Sequence, residues 1–561
     1  MILEMKHMIC NAIAAVLLSA ALVSCTKGFD EMNVNPNSPT PDSVDPNYLI
    51  SPIIVSSTLE VNIYQRIHNL YNDTFAQYFA NDKYTSNVCV PNDDWSQEYW
   101  NKVWGWISGL NEVIRTCSGD EKYVNSVQIA RIWRVWIFSR TTDLFGDIPY
   151  SEACDGSGKP AKYDTQKDIY YDFLKELTEA SEAIDLNGRN LGTSDFIFKG
   201  DMARWKAFAN SLRLRLAMRL SEVDPAKAKL EAEAAVKADG GMLSGIEDDV
   251  KILRKENYYQ FDGGALYYSA ANLYSRSRMT MSSSMQKLLT NLGGQPFPKK
   301  DIYTSVPDYI DPRGTIYFNV TSAFTNAAEG YRGRWKGVTP GYTKAVAAEK
   351  ENACTNNSRL GTYFLTKDKV KDADASFTIS FDRDQVLMYY AEICFLKAEG
   401  ACRGWNMGGS AEDFYKAGIT ASMKEVEIED NVIEAYLNST MPNLYGTTVP
   451  FNDKTSDKHN SQLAKIITQK YLANFPDNSW EAWNDYRRLG MPSLDPFAMP
   501  ETGYVLEAGA MDWKGSLRRL IYPAKEKLTN EANYNEAVAR LSDGDNTTSR
   551  MWWDCRTNIE D

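Results

Sequence analysis

Histidine is nearly missing from this chain, with three in 561 residues. His7 falls in a leader-like stretch, and neither His68 nor His459 has a second histidine or cysteine at ligand spacing, so both read as ordinary polar residues. Ser-His-Asp and Cys-His catalysis would each need one of them, and no G-x-S-x-G elbow occurs. There is no C-x-x-C pair, which leaves a zinc site without ligands. Concentrated positive charge is also absent: 61 Lys and Arg face 74 Asp and Glu, a net charge of −13, with no basic block. Nucleic acid is thereby excluded as a partner. Beyond residue 25 no apolar run approaches the roughly 20 residues that span a bilayer. Carboxylates are plentiful, so paired-carboxylate glycosidase chemistry is neither supported nor removed by counting them.

The N-terminus supplies what the rest lacks. Lys6 and His7 precede a mostly apolar stretch from Ile9 to Val23 that ends in small residues, the layout of an export signal. Leu22, Val23, Ser24 and Cys25 resemble a lipobox, in which the cysteine is acylated and becomes the first residue after cleavage. Acyl chains contribute about 0.8 kcal/mol per buried methylene, so such chains on Cys25, palmitate among them, would tether a large body. Residues 1–24 are expected to be a signal peptide, and 25–47 a lipidated tether rich in Asn, Pro and Ser ("NVNPNSPTPDSVDPN"). Residues 48–561 would form a single body. Seven cysteines remain beyond Cys25, an odd number that implies no disulfide framework.

Helical patterns dominate the body and come in pairs. Thr165 can cap a helix carrying Phe173, Leu177, Ala180 and Ile184 on one stripe, with Asn187 and Gly188 closing it. Asp201 opens a second helix with Trp205, Ala209, Leu212, Leu216 and Leu220, which Asp224 and Pro225 interrupt before another helix ending at Gly240 and Gly241. Further helices are expected over 64–80, 96–116, 125–146, 385–401, 411–426, 461–475 and 479–490. The spacing suggests tetratricopeptide-like hairpins, each burying its apolar face on the next, in a mainly α fold. Residues 242–380 differ. Short β-leaning pieces, "TIYFNV", "GTYFLT" and "SFTISF", stand between Gly, Pro and Asn clusters. This region reads as a loop-rich insertion with short strands, where binding usually resides.

Several segments in order resemble the SusD/RagB family of nutrient-binding outer-membrane lipoproteins, most closely its SusD-like branch. They are "NVNPNSP", "TTDLFGDIPYSEA", "KYDTQKDIYYDFLKEL", "FIFKGDMARWKAFANSLRLRLAMRLS", the tripeptide Asp311 to Arg313, "LMYYAEICFLKAEGA" with "YKAGITASM", "SWEAWNDYRRLGMP", "RRLIYPAKEKLTNEANY" and "NTTSRMWWD". The resemblance implies four tetratricopeptide-like units carrying an irregular ligand-binding part. It also implies a lid over a SusC-like TonB-dependent transporter, delivering an oligosaccharide or peptide without catalysis. "FDE" after Lys27 is similar to the family's surface-export signal, which implies an outer-membrane protein facing the exterior.

For ligand contacts the best candidates lie in "EGYRGRWKGVTPGYTK". Tyr331, Trp335 and Tyr342 stand among glycines and a proline, while Arg332 and Arg334 offer hydrogen bonds to hydroxyls or a carboxylate. The competing reading has these rings pinning the loop to the body. Trp95, Tyr99, Trp100, Trp104 and Trp106 form the densest aromatic cluster, but their i,i+4 spacing favours core packing over a sugar platform. Arg213, Arg215 and Arg219 read as a solvated or ion-paired helix face. No cofactor or metal is expected, and a structural calcium ion is not readable from these residues. Two other functions stay open: a lipid-anchored glycoside hydrolase and a scaffold contacting only proteins.

Overall fold

The computed structural model describes residues 45, 47–59, 61–80, 93–253, 280–300, 303, 305–321, 333–341, 349, 352, 356–364, 384–453, 458–497 and 517–556. The chain divides into Met1–Tyr48 and a body, Leu49–Asp561.

The helices form where the local signals place them. After α1 (Asn47–Leu59) comes a π-helix, Tyr64–Asn72, and then α2 (Asp93–Cys117), α3 (Val124–Phe145), α4 (Gln166–Ala183), α5 (Met202–Arg219) and α6 (Pro225–Lys237). The Thr165 hydroxyl accepts from Asp168 N, Asp201 accepts from Ala203 N and Arg204 N, and Asp224 accepts from Lys227 N with Pro225 at the first helical position. The second half adds α7 (Tyr390–Cys402), α8 (Ala411–Glu425), α9 (Asp430–Asn438), α10 (Gln462–Ala473) and α11 (Ser479–Leu489). Gly490, at φ +70°, closes α11 by donating to Tyr486 O, where a side chain would meet Arg556.

Each helix from α2 to α6 packs on the next, α7 packs on α8 and α10, and α5 joins the two groups through α7. This is a mainly α fold of stacked helical pairs. The strands are short: β1 (Phe79–Ala80) pairs with β5 (Thr280–Met281), β2 (Ile148–Pro149) with β3 (Tyr163–Asp164), β4 (Val250–Leu253) with β8 (Asp384–Met388), and β6 (Thr290–Pro296) with β7 (Tyr309–Ile310), all antiparallel.

Several local expectations are corrected. Residues 384–388 form β8 rather than the start of a helix, because Val386 and Met388 bury their side chains and pair with β4. In "TIYFNV" the first residues belong to a helical turn, Gly314–Tyr317, and only Phe318 makes a β-bridge, to Leu360. "GTYFLT" begins as a 3-10 turn over Thr362–Phe364, and "SFTISF" lies outside the described residues. Arg213, Arg215 and Arg219 are ion-paired but not solvated. All three are buried, Arg215 bidentate to Glu392 at 2.7 Å for both bonds and Arg219 to Glu481 at 2.5 Å.

These pairs belong to a wider charged core. Arg488 meets Glu399 at 2.6 and 2.8 Å and Asp485 at 2.9 Å, and Lys470 meets Asp485 at 2.9 Å. Nearby, Asp143 on α3 accepts from Asn484 Nδ2 at 2.9 Å, from the Tyr170 hydroxyl, and from Trp553 Nε1 at 3.0 Å. The "DPR" tripeptide is internal too: Arg313 chelates Asp311 at 2.9 and 2.7 Å and reaches Gln469 at 2.8 Å, all fully buried.

Candidate functional site

A cavity of about 130 Å³ lies where the π-helix, the β4–β8 ladder, the end of α8 and the Gly314–Tyr317 turn converge. One wall is aromatic. Phe475 is its hub, with ring centroids 4.7 Å from Tyr317, 5.6 Å from Phe79 and 5.6 Å from Phe364. The other wall is acidic, and among the described residues Asp73, Asp249, Asp384, Glu425 and Asp477 face a single lysine, Lys251.

Elements position these groups directly. The π-helix carries Tyr64 and Asn69 onto the wall and leads into Asp73, which accepts from Asn69 Nδ2 at 2.8 Å. Burial raises the Asp73 carboxyl well above the usual carboxylate range. Asp477 holds the ladder, accepting from Val386 N at 3.0 Å. Asp249, at the start of β4, accepts from Tyr390 N at 2.6 Å and so sits at the N-terminus of α7. Lys251 Nζ lies 3.4 Å from Asp249 and 3.2 Å from Glu425. Burial, and then the charge of Glu425, push Asp249 up to about 8.

Size decides what the cavity can accept. Ligand pockets for drug-sized molecules run to about 300–1,000 Å³, so this space holds waters or a small polar group rather than an oligosaccharide. Ala80 pairs with Thr280, and Leu253 with Asp384.

Those residues chosen from sequence that are described do not line this cavity. Trp335 is only 1% exposed; its Nε1 donates to Phe318 O at 3.1 Å and its ring packs on Phe297 at 6.0 Å. Arg334 is 3% exposed, its backbone bonded both ways to Thr321 at 2.9 Å. These two residues therefore pin the segment to the body and form no open platform. Tyr331, Arg332, Tyr342 and Cys25 lie outside the described residues. Trp100 and Tyr99 are buried, Trp100 Nε1 donating to Glu526 at 3.0 Å and the Tyr99 hydroxyl bonding Thr141 at 3.2 Å, while Trp95 packs half-buried against the core. His68 stacks on Tyr64 at 4.5 Å, and His459 bonds the Ser493 hydroxyl at 2.6 Å. Among the described residues no group of acidic, histidine or cysteine side chains could hold a metal ion, and no helix is long and apolar enough to cross a membrane. Among the described residues Cys154, Cys394, Cys402 and Cys555 form no disulfide. Sequence reasoning missed Asp249, Lys251 and Glu425. The alternation of Asp249 and Lys251 along one strand was the available signal, but Glu425 joins them only in three dimensions.

Known proteins place the chain among relatives. The SusD-like family, described as Susd and RagB outer membrane lipoprotein, matches residues 47–554. No curated protein matches the chain. Among solved structures, a SusD homolog from Parabacteroides distasonis is 28% identical, with a TM-score of 0.81, covering 92% of this chain and 99% of its own. A SusD homolog from Bacteroides thetaiotaomicron is 25% identical, with a TM-score of 0.69 over 92% of this chain and all of its own. A chitin-binding SusD homolog from Flavobacterium johnsoniae is 27% identical, with a TM-score of 0.70 over 92% of this chain and 99% of its own. With a match running through nearly the whole body and the same stacked-helix architecture, the chain belongs to the SusD/RagB family of outer-membrane lipoproteins.

Proposed function

We propose that this protein is a cell-surface nutrient-binding lipoprotein, anchored through acylated Cys25. It captures an oligosaccharide and passes it to a SusC-like TonB-dependent transporter, without covalent chemistry. The observation that carries this reading is the unbroken family match over residues 47–554, and the similarity to a chitin-binding homolog over 92% of the chain favours a glycan over a peptide. Tyr331, Arg332 and Tyr342 remain the ligand contacts of this reading, on the residue types that the sequence offers there.

The test is a glycan and peptide array probed with the purified protein, followed by recovery of the bound ligand and by copurification with outer-membrane partners. The expected outcome is a glycan bound, returned intact, and a TonB-dependent barrel copurifying. Release of new reducing ends, abolished by Asp249→Asn, would replace this reading with a hydrolase. Radioactive fatty acid should label the native protein and not Cys25→Ala.

A further inference from the structure

A second, smaller cavity lies on the far side of Tyr64 from the acidic one. It measures about 20 Å³, and Tyr64, His68, Tyr99, Arg140, Gln385 and Trp480 contribute to its wall. Among the described residues no carboxylate lines it. Arg140, on α3, is held flat between two rings, its guanidinium carbon 4.5 Å from the Trp136 ring centroid and 4.1 Å from that of Trp480.

Arg140 differs from the arginines around it. Arg131 and Arg134 on the same helix share Glu176, Arg215 takes Glu392, and Arg219 takes Glu481. The Arg140 side chain makes no ion pair and no hydrogen bond to any described residue. Glu481 acts on it from a distance while bonded to Arg219, and Arg215 adds a like charge. Burial lowers Arg140 to about 10, so it stays charged at neutral pH. Arg140 is half-buried, and a cation partly withdrawn from water without a counter-charge is costly, which aromatic faces offset only in part.

We propose that the 20 Å³ cavity is a binding site for one monatomic anion of chloride size, held by the Arg140 guanidinium between Trp136 and Trp480. Its volume sets the ligand class. A water-sized sphere needs about 10–15 Å³ of such space, so one halide fits while a carboxylate or phosphate does not. The site joins α3, α11, β8 and the π-helix, and Tyr64 lines both cavities, so an anion here would brace one wall of the acidic cavity. The inference does not depend on which nutrient the protein binds.

The experiment is thermal unfolding of the full lipid-anchored chain in detergent, at one ionic strength, in sodium chloride against sodium gluconate, whose anion is too large to enter. Chloride is expected to raise Tm saturably, by about 1 °C for a tenfold excess over its Kd. Arg140→Gln is expected to abolish the difference and Arg140→Lys to keep part of it. Equal melting temperatures in the two salts for the native chain, or a chloride shift that survives Arg140→Gln, would overturn the proposal. If Arg140→Gln does not fold, the chlorine-35 line width of the native protein decides: saturable broadening displaced by bromide supports the site, and its absence means water fills the cavity.

Discussion

Two buried polar regions of this protein lie a few side chains apart and respond to burial in opposite ways. In the charged core between α5, α7, α10 and α11, burial works to raise Asp485, yet Lys470, Arg488 and Arg219 hold it down to about 2. At the acidic cavity, burial and Glu425 outweigh Lys251, and Asp249 rises to about 8. Desolvation has the same sign in both places. The ratio of partners to charges decides the outcome: in the core nearly every described carboxylate meets a guanidinium or ammonium, whereas the described cavity wall offers one lysine to five acids. The paired region fixes the scaffold, and the acid-rich one raises the Asp249 carboxyl.

This contrast can be broken most forcefully from the core side. Arg488→Ala removes from a dry interior the guanidinium that Glu399 and Asp485 share, leaving them Arg403 and Lys470 alone, and denaturant unfolding should show a loss of about 3–5 kcal/mol. An unchanged midpoint would mean that water enters this core. The two regions should also separate by pH. Asp485, depressed in the folded state, contributes stability that is present above about 4 and lost as pH falls toward 2. Asp249, raised in the folded state, contributes stability that is complete below about 4 and lost as pH rises through about 8. Asp249→Asn should therefore flatten the stability curve between these values, removing a slope of up to about 1.4 kcal/mol per pH unit. A curve superimposable on the native one would show that Asp249 ionises normally. The smallest effect is expected from Lys251→Met. Losing the cation that faces Asp249 should move the upper end of its transition higher by about one pH unit, read from the same titration.

What could be read from the chain depends on the range of the interactions involved. The caps at Thr165, Asp201 and Asp224 act within three residues, and each appears where the sequence places it. Arg215 and Arg219 read as either solvated or ion-paired because their partners, Glu392 and Glu481, are 177 and 262 residues away. Residues 384–388 carry an apolar run that serves a helix or a strand equally, and pairing with Val250 to Leu253 settled it. Glycines around Trp335 correctly marked an irregular segment, but nothing local revealed that Phe318 O awaited its indole nitrogen. The acidic cavity stayed hidden for the same reason: Asp73, Asp249, Glu425 and Asp477 come from four distant stretches.

The environment of Asp143 bears on what completes the core. This carboxylate emerges early, on α3, yet its partners are supplied by Tyr170, by Asn484 and by Trp553, almost the last described residue. The polar core around α3 is therefore complete only with the C-terminal residues in place, and loss of the segment that carries Trp553 would leave Asp143 short of a donor.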